Sequence, residues 1–168
     1  MADPHIQSPM DLWDILTVIL YRSGLTVALA MLFWLKYTPE IAQLGFLVSG
    51  VMLASSLHLY LKSFRLLFQF VMWGGLLCHI FGLPEVALGA AFLVIGGLCY
   101  KEYFCFRITG LNFQPLIFAL LWVSLITQAD LFIDLFRITA FILLAILTFK
   151  KWRMPLHFDI GDKGKYQI

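Results

Sequence analysis

Six apolar runs separated by short polar joins organise the chain, at residues 12–35, 41–61, 66–83, 86–100, 113–128 and 131–149. A helix crossing the roughly 30 Å hydrocarbon core of a bilayer needs about 20 mostly apolar residues. The first three runs and the sixth reach or approach that length. The joins carry turn chemistry: Lys36-Tyr37-Thr38-Pro39-Glu40, Lys62-Ser63-Phe64-Arg65 and Gly82-Leu83-Pro84-Glu85. Pro39 and Pro84 suit the first turn of a following helix, where no amide hydrogen is required. Joins this short make successive helices antiparallel neighbours. The pattern predicts an all-α, polytopic transmembrane bundle of six helices over residues 1–149, followed by a short basic tail at 150–168.

The fourth and fifth runs fall short of a full span. One explanation is that Tyr100 to Phe106 (YKEYFCF) continues the fourth helix, with Lys101 and Tyr103 reaching toward headgroups. The other is a re-entrant pair that never crosses. It would hold Lys101, Glu102 and Arg107 at membrane depth, at a cost of several kcal/mol unless they are paired or hydrated. Full spanning is the preferred expectation.

Composition names the solvent. Of 168 residues, 61% are hydrophobic and 13% charged, against about 45–50% and 25% in a soluble domain. The short polar stretches cannot coat a soluble surface, so the bilayer is the partner these numbers require. A formal net charge of +2 gives no basis for nucleic-acid binding.

The basic residues encode orientation. Lys62, Arg65, Lys101, Arg107, Lys150, Lys151, Arg153, Lys163 and Lys165 fall on the side that holds both termini, whereas only Lys36 lies opposite. The positive-inside rule therefore places both termini in the cytoplasm. Trp13, Tyr37, Tyr60, Tyr100, Tyr103 and Trp152 fall near the expected interfaces, as an aromatic belt does. The stretch Met1 to Asp11 has no Lys or Arg, the wrong start for a cleaved signal peptide, so the first apolar run is expected to be retained. The three cysteines show no paired spacing, and a disulfide framework is not expected.

Charges in lipid are costly and usually face the bundle interior, which makes Arg22, Asp134 and Arg137 the first candidates. Asp134 and Arg137 are three apart on one helix and can neutralise each other locally. The alternative is that they line an aqueous vestibule or proton path. Arg22 either snorkels from a surface-lying start of the chain or is buried against an acid such as Glu102. A second candidate group, His58, Glu102 and Cys105, belongs to the inner half. His58 and His79 fall toward opposite faces and cannot form one haem axial pair. No metal site and no cofactor are expected, and neither HExxH, GxSxG nor a phosphate-binding loop occurs. The tail Met154 to Ile168 (MPLHFDIGDKGKYQI) is read either as a loose end or as a segment folding back over the inner mouth of the bundle.

Two function classes follow, with a membrane enzyme resting on Glu102, Cys105 and His58 behind them. One is a non-enzymatic membrane protein with an assembly or partner-binding role, its partner another membrane protein or a second copy. The other is a small transporter or channel using Arg22, Asp134 and Arg137. Tyr21-Arg22-Ser23-Gly24, Tyr100 to Gly110 (YKEYFCFRITG) and Lys151 to Gln167 (KWRMPLHFDIGDKGKYQ) resemble a bacterial integral membrane protein family termed domain of unknown function 2301. The resemblance covers nearly the whole chain. It implies a multi-pass protein of the bacterial cytoplasmic (inner) membrane and brings no activity, cofactor or site residue with it.

Overall fold

A computed structural model describes residues 9–166. Most of the stretch whose composition argued against a cleaved signal, residues 1–8, lies outside them. Every regular element among the described residues is helical: α1 (Leu12–Trp34), α2 (Pro39–Ser55), α3 (Lys62–Ile80), α4 (Pro84–Phe106), α5 (Gln114–Ile126), α6 (Asp130–Arg153) and the single turn α7 (His157–Ile160). Short 3-10 turns precede α5 at Leu111–Phe113 and follow α7 at Lys163–Lys165.

Local sequence sets the helix starts. Asp11 and Asp14 cap α1 reciprocally, each carboxylate accepting the other's backbone N–H at 2.9 and 3.0 Å, so two of the unpartnered amides of the first turn are satisfied. Proline occupies the first turn of α2, α4 and α5, where its missing N–H costs nothing. α4 runs unbroken through Tyr100–Phe106 and ends where Arg107 turns into the left-handed region at φ 47°.

α2 stops at Ser55, short of the Leu61 expected from the apolar pattern. Contacts elsewhere in the fold win the segment 56–61. Arg65 donates to the Leu59 carbonyl at 2.9 Å, and the Tyr60 hydroxyl accepts the Asp162 N–H at 3.0 Å. The sixth helix runs on to Arg153, so Lys150, Lys151 and Arg153 are helical rather than part of the tail.

α4 is the central helix, touching α2, α3, α5 and α6, and α1 closes the bundle between α2 and α6. Small residues permit the close approaches: a Cβ on Gly96 would lie 2.9 Å from the Pro115 Cα of α5. Phe46, Phe92 and Phe118 pack in a row through the middle with ring centroids 4.9 Å apart at each step, the first pair edge to face and the second tilted. Large apolar side chains such as Phe70, Trp73, Ile80 and Leu131 stand outward and exposed, the inverse of a water-soluble surface. Four helices, α1, α3, α4 and α6, are long and apolar enough to cross a membrane, while α2 and α5 are shorter apolar helices.

A buried charge cluster under a folded tail

α1 presents Tyr21 and Arg22 next to each other near the basic end of the bundle. Successive helical residues point about 100° apart, so the two reach different targets. Tyr21 donates to Glu102 Oε1 of α4 at 2.9 Å. Arg22 turns to the tail and donates from Nε to Asp159 Oδ2 at 2.7 Å, and to the carbonyls of Met154 and Pro155 at 2.8 and 3.1 Å. Of the two alternatives for Arg22, the fold adopts burial against an acid, not snorkelling, but the acid is not Glu102. Its partner is the tail carboxylate.

Glu102 is instead held by lysines. Lys101 Nζ donates to Oε1 at 3.0 Å and Lys151 Nζ to Oε2 at 2.8 Å. Lys151 also forms an ion pair with Asp159, which joins the two halves of the cluster. The side chains of Arg22, Glu102, Lys151 and Asp159 are at most 3% exposed. Charges this deeply enclosed are tolerable only when paired and hydrogen-bonded, and here each is. Both lysine ammoniums also lie over the Tyr21 ring, 5.2 and 5.3 Å from its centroid, a cation–π arrangement.

The tail completes the enclosure. It folds back on the bundle through Asp159, through the Asp162–Tyr60 bond, through Tyr166 packed on Tyr60 with ring centroids 5.0 Å apart, and through an ion pair of Lys163 with Asp14. The bond to Asp14 raises the Lys163 pKa. Burial raises that of Tyr166, with the neighbouring Tyr60 adding to the shift.

Between the tail, the 56–61 segment and the ends of α3 and α4 lies a cleft of about 510 Å³. Leu61, Phe64, Phe104 and Phe158 supply apolar wall, and Lys101, Lys151, Asp159 and His58 supply the polar lining. Of the candidate inner-face group, His58 and Cys105 share this cleft. Glu102 is fully buried behind the two lysines that do line it. Burial, assisted by the positive charge of Lys101, lowers the His58 pKa from 6.5 to about 4, which leaves the imidazole neutral near pH 7.

Asp134 and Arg137 sit at the other end of the bundle. Arg137 donates to Asp134 at 2.7 Å, and Lys36 joins the same carboxylate at 3.0 Å. The Asp134 side chain is 42% exposed. Arg22 and this group do not meet: Leu25, Ala28 and Leu32 of α1, all fully buried, fill the interval along with Phe118 and Leu144.

Asp159 and the pairing role of Lys151 escaped the sequence reading. The available signal was twofold: an arginine inside an apolar run demands a carboxylate, and Asp159 is the one tail acid flanked on both sides by large apolar residues, Phe158 and Ile160.

Comparisons with known proteins agree with a membrane architecture. Residues 82–168 match the family described as "Uncharacterized integral membrane protein (DUF2301)". A Haemophilus influenzae protein described as "Uncharacterized protein" is 53% identical over 168 residues, covering 100% of both chains. No solved structure matches the chain.

Proposed function

The chain belongs to the DUF2301 family of integral membrane proteins, and we propose that it is a non-enzymatic, multi-pass protein of the bacterial inner membrane that works by holding a partner in the cleft at its basic end. The observation that carries this reading is the cleft itself, about 510 Å³ with largely apolar walls and a polar lining backed by acids that are already engaged, Asp159 in the wall and Glu102 behind it. Glu102 and Asp159 have both carboxylate oxygens committed to Tyr21, Arg22, Lys101 and Lys151. Acids so neutralised hold the cleft in shape and are poorly placed to transfer protons to a substrate. Conduction is disfavoured by the apolar fill between Arg22 and Asp134, because a path needs polar groups from face to face. The excess of Lys and Arg at the cleft end turns it toward the cytoplasm.

Cys105 lines the cleft and is exposed, which supplies a test. In inside-out membrane vesicles, an impermeant maleimide should modify Cys105 more slowly than in the purified, delipidated protein. A control cysteine introduced at exposed Trp152, outside the cleft, should show no such difference. Equal Cys105 rates in the two preparations, or labelling only from the external face, would overturn the reading.

A further inference from the structure

Resting on the binding reading above, we propose that the occupant of the cleft is a bilayer phospholipid of net negative charge, its phosphate against Lys101 and its chains along Leu61, Phe64 and Phe104.

Charge comes first. The enclosed cluster holds three cations, Arg22, Lys101 and Lys151, and two carboxylates, Glu102 and Asp159. It therefore carries one positive charge in excess. Arg22 and Lys151 are spent within the cluster at 1% and 3% exposure, whereas the Lys101 side chain is 25% exposed and lines the cleft. The excess is presented to the cleft through Lys101, whose ammonium has three hydrogens to donate. An anion there makes charge-assisted hydrogen bonds in a half-enclosed site, where screening is weak.

Depth comes next. Lys101 lies 17 residues beyond Pro84 at the opposite end of α4, or about 26 Å along a helix. Against a hydrocarbon core of roughly 30 Å, that is the level where acyl chains meet headgroups. The apolar wall has matching access: Leu61, Phe64 and Phe104 line the cleft and are 48%, 50% and 52% exposed. The cleft thus opens sideways onto the face that meets lipid, so a bilayer lipid can lie with its chains outside and its headgroup inside. A zwitterionic lipid brings its own cation to the phosphate and leaves the excess charge uncompensated.

The test uses the full chain carrying Cys78→Ser, delipidated in a neutral detergent, with maleimide modification of Cys105 as the readout. Dioleoyl phosphatidylglycerol at about ten times its half-protecting concentration should slow modification about tenfold. Dioleoyl phosphatidylcholine and soluble glycerol phosphate should leave the rate unchanged. Lys101→Gln should raise the half-protecting concentration about tenfold, and Lys101→Arg should preserve it. Should Lys101→Gln not fold, the contrast between the two lipids and the Lys101→Arg result decide the matter. Equal protection by both lipids would overturn the assignment, as would indifference to Lys101→Gln. Protection by glycerol phosphate alone would overturn it in favour of a small-anion site. Cys105 shielded in native membranes but unprotected by phosphatidylglycerol would remove the lipid and leave the binding reading standing. Cys105 unshielded in native membranes removes the reading itself.

Discussion

His58 illustrates how one side chain can report on the whole cleft. Its Nε2 is shut away from solvent without a hydrogen-bond partner among the described residues, and its charge state answers to Lys101 and Lys151, which disfavour the proton, and to Asp159 and Asp14, which favour it. Burial outweighs these and sets the folded pKa near 4, against 6.5 in an unfolded chain. Above pH 6.5 both states hold a neutral ring and His58 contributes no pH dependence. Between 6.5 and about 4 the unfolded chain binds a proton that the folded chain refuses, so stability falls as pH falls through this window. The loss should reach about 1–2 kcal/mol after allowance for partial exposure. Thermal unfolding in detergent across this range should show a slope in the native chain that His58→Gln reduces. Identical slopes would mean that the ring titrates normally.

The tail after α6 is held by partners far away along the chain. A segment this polar, with two glycines, has little of its own to hold it in place, yet it is seated on the bundle because Asp159 completes an ion cluster that α1, α4 and α6 leave unbalanced. Asp159→Asn should cost about 3–5 kcal/mol, the range for stranding a buried charge, and should speed modification of Cys105 as the tail lifts. Combining Arg22→Met with Asp159→Leu should cost less than Asp159→Asn alone. A single change no worse than the double one, by thermal unfolding, would show that the pair is not what seats the tail. The six apolar segments could be read from residue order because hydropathy and proline are local properties. The local pair Asp134–Arg137 was legible for the same reason, being one helical turn apart. Arg22 with Asp159 was not, since 137 residues separate them and only the fold brings them together. α2 misled in the same way: its apolar pattern continues to Leu61, but Tyr60 and Leu59 serve contacts with the tail and α3 that no local pattern announces.

For the whole molecule, the arrangement of charge is lopsided. The end carrying the start of α1, the tail and the cleft gathers the lysines and arginines around an enclosed cluster, while the other end holds the exposed Lys36 and Asp134 with the half-buried Arg137. Reporter fusions placed after Ile168 and in the turn at Pro39 should read as cytoplasmic and external respectively. The reverse result would turn the cleft to the outside and with it the source of any occupant. The long-range pairing also has a consequence for how the protein is made. Arg22 emerges from the ribosome 137 residues ahead of Asp159, an interval on the order of ten seconds at ordinary rates of synthesis. Throughout it the arginine belongs to an apolar helix whose folded-state partner has not yet been made. An arginine in a spanning helix costs about 2.5–3.5 kcal/mol on insertion scales, a cost that the tail lifts only on arrival, so the last residues made complete the seating of the first helix.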